Sequence, residues 1–236
     1  MQKRRVASKT RGQHIAAEIE GKKRKTYDLR QVEQVERDFY ARDPRIVSRE
    51  LLGKVMVRNV ARERLAGRIV EVEAYLGADD AAAHAAAGLT ARTRVIFGPP
   101  GHAYVYFIYG NYYCLNVTCM PEGQAGSVLF RALEPLYGLE TMARYRGIVL
   151  EAPLGKARRL LTTGPGRLCQ ALNIDRLSDN GADMTTPQSG LWVGDDGFRP
   201  QQIVIGKRVG ITKSAEQPLR YYIAENEFVS RPIPKL

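Results

Sequence analysis

The sequence predicts a single α+β domain. Segments that read as strands and segments that read as helices alternate irregularly, with no β-α-β repeat, which argues against a doubly wound parallel sheet. A Gly110-Asn111 pair sits inside the alternating run Tyr104-Val-Tyr-Phe-Ile-Tyr-Gly-Asn-Tyr-Tyr-Cys-Leu-Asn116 and marks a β-hairpin. At 236 residues, 44% hydrophobic and 26% charged, the chain can bury one good core. A folded unit over residues 38–236 is expected, behind a basic arm over residues 1–37.

The elements follow in order. Val32 to Tyr40 reads as a short helix. Asp43-Pro44 supplies an N-cap with proline at the first helical position, opening a helix through Leu52 that Gly53 ends. Lys54–Val60 and Arg68–Tyr75 read as strands, and the Gly98-Pro-Pro-Gly101 cluster is a turn that launches the tyrosine hairpin. Ser127–Leu133 is an apolar strand and Gly138–Arg146 a short helix. Residues 146–156 read as a loop. Gly164-Pro-Gly166 then opens a helix through Leu172, residues 175–190 are turn-rich, and Leu191–Val193, Ile203–Val209 and Leu219–Ile223 supply late strands.

The net charge of +11 is unevenly placed. Residues 1–25 hold nine Lys/Arg against two acids, a net of +7, which leaves only +4 for the rest of the chain. Such an arm binds phosphates without reading sequence, or serves as a solvated leader; the charge supports a nucleic-acid partner without proving one. No apolar run approaches the ~20 residues that cross a bilayer, and none follows the basic N-terminus as a secretory signal would require. Three cysteines, Cys114, Cys119 and Cys169, fit neither a disulfide frame nor a zinc site and point to a reducing compartment.

Side chains alternate along a strand, so Ile69, Glu71, Glu73 and Tyr75 share one face. Two such carboxylates are ordinarily the solvated face of a one-sided sheet. Beside aromatic residues, one of them becomes a candidate general base, with a pKa raised by burial. Arg131, in the apolar strand Leu129-Phe-Arg-Ala-Leu-Glu-Pro135, needs a carboxylate partner if buried; Glu73 is one candidate and Glu134 the plainer one. Tyr109 and Tyr112 flank the hairpin turn. Cross-strand pairing explains some of these tyrosines, but a tip tyrosine finds packing only by folding back or by entering a partner.

The segments Glu71-Val-Glu-Ala-Tyr-Leu-Gly77, Asp79-Asp-Ala-Ala-Ala-His84, Tyr104-Val-Tyr-Phe-Ile-Tyr-Gly110, Cys114-Leu-Asn116, Arg131-Ala-Leu-Glu-Pro135 and Gly164-Pro-Gly-Arg-Leu-Cys-Gln-Ala-Leu172 resemble the alkyladenine (3-methyladenine) DNA glycosylase family, in order and with few gaps over residues 38–224. The resemblance implies a curved, mostly antiparallel sheet with surrounding short helices and a protruding hairpin that inserts into DNA. It implies that Glu73 activates water, held with Arg131 and a backbone carbonyl near Val209–Ile211. Tyr75, His84 and Tyr106 would stack on an extruded base, Asn116 would lie at the pocket floor and reject the amine of normal guanine, and Tyr109 would fill the gap left in the duplex. Thr90, Arg92 and Arg94, with Gly164 and Gly166 at a helix start, would approach the DNA backbone. Position 111 is a polar asparagine where animal members carry an apolar residue.

The expected activity is removal of alkylated or deaminated purines from double-stranded DNA, leaving an abasic site, with no cofactor and no metal. A monomer is expected, in the bacterial cytoplasm at the nucleoid or in a eukaryotic nucleus. No lysine lies in the matched catalytic segments, the nearest being Lys54 and Lys156, so a hydrolase is expected and not a Schiff-base lyase. Three other readings stand beside this one: a glycoside hydrolase using Glu71 and Glu73, a helix-hairpin-helix glycosylase using Gly164-Pro-Gly166 and Asp175, and a non-catalytic binder of damaged DNA. One geometric condition also follows. A two-residue turn at Gly110-Asn111 sets Tyr106 opposite Leu115 and turns Asn116 to the other face; a shared pocket requires a bulge or a longer loop.

Overall fold

The computed structural model describes residues 27–108, 110–150 and 154–230. The expected α+β class is what it shows: one curled antiparallel sheet with a few short helices around it. In chain order the main elements are β1 (Glu33–Gln34), α1 (Arg37–Tyr40), α2 (Pro44–Leu51), β2 (Val55–Val60), β3 (Glu63–Tyr75), β4 (Ala103–Ile108), β5 (Tyr112–Thr118) and β6 (Ser127–Tyr137). There follow α3 (Leu139–Arg146), α4 (Leu154–Thr162), α5 (Pro165–Ala171), α6 (Arg176–Asp179), β7 (Leu191–Asp195), β8 (Ile203–Gly206) and β9 (Arg220–Ile223). Short 3-10 turns at His84–Ala87 and Arg94–Phe97 bracket the loop between β3 and β4. Among the described residues no helix is long and apolar enough to cross a membrane.

The sheet runs β1-β7-β2-β3-β6-β5-β4, and β9 joins β8 to β3. β3 is the spine. β6 flanks it from Ala66 to Tyr75, while its other edge pairs first with β2 and then with β9. Ten consecutive residues of β3, Leu65 to Ala74, are buried, so both of its faces are covered. Glu71 and Glu73 therefore point into the interior, not onto a solvated sheet face. α2 forms as expected: Asp43 accepts from the Arg45 N–H at 2.8 Å, and Pro44, Val47, Ser48 and Leu51 make one buried stripe.

Several elements depart from expectation. The segment from Val32 is helical only from Arg37; Glu33 and Gln34 instead pair with Asp195 and Gly194 of β7. Tyr27 bonds Asp196, and Arg37 bonds Asp183, so the stretch 27–37, assigned to the arm, packs on the fold; residues 1–26 lie outside the described residues. α4 occupies part of the expected loop and continues to Thr162. Gly155 and its basic run hide it in the sequence, although Leu161 and Thr162 are fully buried. β8 stops at Gly206 and not at Val209. Beyond it, Arg208 turns inward to Asp80, and the Val209 N–H is used by Glu73.

The hairpin meets the geometric condition through loop length. Ile108 pairs with Tyr112, so three residues (109–111) close it in place of two. Tyr106 then faces Cys114 and Tyr104 faces Asn116, which puts all four side chains on one face.

Candidate active site

Glu71 and Glu73 of β3 are equally buried, each with no exposed surface, and differ only in partners. Glu71 Oε1 accepts from Arg131 Nε and from Arg220 Nε, both at 2.8 Å. The Ser230 N–H reaches Glu71 Oε2 at 2.6 Å and its hydroxyl reaches Oε1 at 2.9 Å. Burial pushes the Glu71 carboxyl up, but the two guanidinium groups and the Ser230 donors outweigh it and hold the pKa below the ordinary range.

Glu73 has weaker support. The Val209 N–H donates to its Oε1 at 2.7 Å, the Tyr75 hydroxyl to its Oε2 at 3.1 Å, and Arg131 Nη1 lies 3.2 Å away. Here burial wins. It raises the Glu73 carboxyl above its ordinary value against Arg131, Val209 and Tyr75, with the Glu71 charge adding to the rise. A poised carboxylate next to a fixed counter-charge is the arrangement that general base catalysis requires. Arg131 thus bridges both acids, whereas Glu134 lies 3.9 Å from Arg158.

Beyond Tyr75 lies a cavity of about 130 Å³ walled by Tyr75, His84, Tyr104, Tyr106, Asn116 and Ile211, among others. His84 meets Tyr106 edge-on, with ring centres 4.6 Å apart, and Tyr104 stacks on Tyr106 at 5.4 Å. Arg92 Nη2 is 3.2 Å from His84 Nε2, and Tyr104 Oη is 3.0 Å from Nδ1. A guanidinium only donates, so Nε2 accepts and neutral His84 carries its proton on Nδ1, donating to Tyr104. Burial, then Arg92, hold the His84 pKa below its ordinary value. At the floor, Asn116 Nδ2 donates to Ser127 Oγ at 3.0 Å, and among the described residues Asn116 Oδ1 has no partner. A larger groove of about 700 Å³, bordered by Arg131, Thr163, Arg167 and Ser230, shares Tyr75, Tyr106 and Ile211 with the cavity.

A sequence profile described as methylpurine-DNA glycosylase (MPG) matches residues 38–227. This chain belongs to the methylpurine-DNA glycosylase family. A relative in Koribacter versatilis is 58% identical over 202 residues, covering 86% of this chain and 95% of its own length. One in Alkaliphilus oremlandii is 47% identical over 203 residues, with 84% and 99% covered. Another, in Clostridium botulinum, is 46% identical over 199 residues, with 82% and 97% covered. All three carry the name 3-methyladenine DNA glycosylase.

In this family member the structure brings Tyr75, His84, Tyr106 and Asn116 around one cavity and Arg131 onto the adjoining groove, with buried Glu73 bonded to Tyr75 and Arg131. Thr90, Arg92 and Arg94 are exposed on the loop that follows His84. Gly164 adopts φ +114° and its N–H donates to the Arg131 carbonyl, while a Cβ on Gly166 would come within 2.9 Å of the Tyr112 ring. Both glycines therefore have structural work in seating α5 against the hairpin. Tyr109 lies outside the described residues.

Sequence reasoning missed six residues: Tyr104, which holds His84; Ser127, which holds Asn116; Ser230 and Arg220, which hold Glu71; and the Arg208–Asp80 pair beneath Tyr75. Period-two alternation from Tyr106 could have found Tyr104. The others depend on contacts between distant segments, with no local signal.

Among the described residues no group of three or more His, Cys, Asp or Glu side chains is arranged to hold a metal ion.

Proposed function

We propose that this chain is a monofunctional purine DNA glycosylase that flips alkylated or deaminated purines out of duplex DNA and hydrolyses the N-glycosidic bond. One observation carries the reading. Glu73 is a buried carboxylate with a raised pKa, bonded to Arg131 and to Tyr75, and Tyr75 lines both the aromatic cavity and the open groove. The extruded base enters the cavity between Tyr75, His84 and Tyr106, with Asn116 at its floor, and the deoxyribose remains in the groove. A cationic N-alkylpurine gains about 0.5–2 kcal/mol of cation–π attraction from such walls.

Glu73 takes a proton from a water held with Arg131 and the backbone of the 209–211 segment. The water oxygen bonds to C1′ as the C1′–N bond breaks, and the base leaves with that electron pair. An abasic site remains. Tyr109 fills the gap in the duplex, while Thr90, Arg92, Arg94 and the Gly164–Gly166 turn approach the backbone; the basic residues 1–25 add non-specific phosphate contacts. The reaction needs no metal and no cofactor, and the protein acts as a monomer in the compartment that holds the DNA.

Two features favour this over the neighbouring readings. Lys54 is tied to Asp195 at 2.7 Å, which counts against a Schiff-base amine. Glu71 is saturated by Arg131, Arg220 and Ser230 and held anionic, which counts against a sugar hydrolase using it as acid. The test is release of free purine from methylated duplex DNA in EDTA. Strands that break only after alkali treatment are expected. Breakage without alkali would indicate a lyase, and intact glycosidic bonds with retained binding would indicate a lesion binder.

A further inference from the structure

Arg208 is a charged residue with a fully buried side chain that the proposed chemistry does not use. Its guanidinium forks onto Asp80, Nη1 to Oδ2 at 2.5 Å and Nη2 to Oδ1 at 2.8 Å. Nη1 also donates to the Ala74 carbonyl at 3.1 Å, and the guanidinium carbon lies 4.6 Å from the centre of the Tyr75 ring. Buried ion pairs of this kind contribute little net stability compared with apolar residues of the same shape, so stability alone is a poor reason for one.

The position of Arg208 supplies a better reason. Asp80 is the organiser of its own loop, accepting from the Leu76 N–H at 3.2 Å and from the Ala82 N–H at 3.1 Å. That loop leads into Ala83 and His84, one wall of the cavity, while the segment after Arg208 supplies Ile211 on another. Arg208 joins the two. It also sits directly before Val209 and against the ring of Tyr75, and Val209 and Tyr75 are the two uncharged donors that hold Glu73. Burial, then the Glu73 charge, raise the Tyr75 hydroxyl above its ordinary pKa; the Arg208 charge opposes that rise and so keeps the hydroxyl a better donor than it would otherwise be.

We propose that Arg208 is the positioning residue of this site, fixing through Asp80 and Tyr75 the two hydrogen-bond donors that keep Glu73 ready to act as a base. This rests on the glycosylase reading for its kinetic form. Other groups face Glu73 as well: Glu71 and Tyr75 from β3, Arg131 from β6, Cys114 from β5, and Val209 from the segment after β8, with Arg220 of β9 committed to Glu71. None of these moves directly when Arg208 is changed except Tyr75 and Val209, so the effect on Glu73 should pass through those two.

The experiment is the pH dependence of single-turnover base release by the full chain and by Arg208→Met, Arg208→Lys and Asp80→Asn. It is paired with ¹³C NMR titration of the Glu73 carboxyl and with thermal denaturation. Donors favour the ionised carboxylate, so weakening them raises its pKa; the acid limb should move up by about 1 pH unit, as should the NMR midpoint. Arg208→Lys keeps the charge but loses the planar fork, and should shift the limb by a smaller amount in the same direction. Tyr75→Phe should shift the wild-type limb upward but add less in the Arg208→Met background, because the two act through one donor.

A lowered rate with an unmoved acid limb and an unmoved NMR midpoint would overturn the proposal, as would additive Tyr75 and Arg208 shifts. If Arg208→Met does not fold, Asp80→Asn carries the same test with its shape preserved. Absence of release by the wild type would count against the glycosylase reading, and the NMR midpoints would still decide this one.

Discussion

Glu71 and Glu73 lie two residues apart on one strand, equally buried, yet the two ends of that short segment are built for opposite purposes. At the Glu71 end, two arginines and both donors of Ser230 converge on one carboxylate and drive it to stay ionised. At the Glu73 end, one shared arginine, a backbone N–H and a tyrosine hydroxyl fall short of the burial penalty, so the carboxyl titrates upward. Burial is therefore not what distinguishes structure from chemistry here. The count of charged donors is, and the carboxylate with fewer of them is bonded to Tyr75, which lines both the cavity and the groove.

The sharpest way to break this contrast is to remove the saturated acid. Glu71→Ala leaves Arg131 and Arg220 facing each other without their shared carboxylate, and unfolding experiments should show a loss of about 3–5 kcal/mol. The pH dependence has a definite sign. Folding depresses the Glu71 pKa, so its stabilisation is complete above the unfolded value and is lost as pH falls through the folded one. Glu73 runs the other way, since a raised pKa makes its ionisation cost stability as pH rises. Glu73→Gln should therefore be at least as stable as the wild type at pH 7. A large destabilisation in that variant would erase the distinction.

Smaller effects sharpen the cavity side. Tyr106→Ala removes a ring that packs on both His84 and Tyr104, and lesion-duplex affinity should fall by about 1–3 kcal/mol, the range for one base–aromatic stack. Equal affinity in a binding titration would mean that the base does not stack there. The smallest effect tests the wedge. Tyr109→Ala should weaken binding to an abasic-site analogue while leaving the Glu73 acid limb in place, and an unchanged affinity would refute the wedge.

How much of this was legible beforehand depended on the range of the interactions. Local patterns were readable: the Asp43-Pro44 helix start, the strand face shared by Glu71, Glu73 and Tyr75, and the hairpin itself. The three-residue closure was not, because Gly110-Asn111 fits a tighter two-residue turn equally well. Helix α4 was hidden by glycine and a basic run. Arg208, Ser230 and Arg220 lie well over a hundred residues from the carboxylates they serve, so alternation on a single strand cannot reveal them. For Arg131 the sequence offered Glu73 or Glu134; its partners are Glu73 and Glu71.

The central claim is that Glu73, and not Glu71, is the base. The direct test compares hypoxanthine release from a duplex, in EDTA, by wild type and Glu73→Gln, with binding of both proteins to the same duplex. The account predicts release by the wild type and a loss of about 10²–10⁴-fold or more in the variant, with binding retained. Full activity of Glu73→Gln would contradict it.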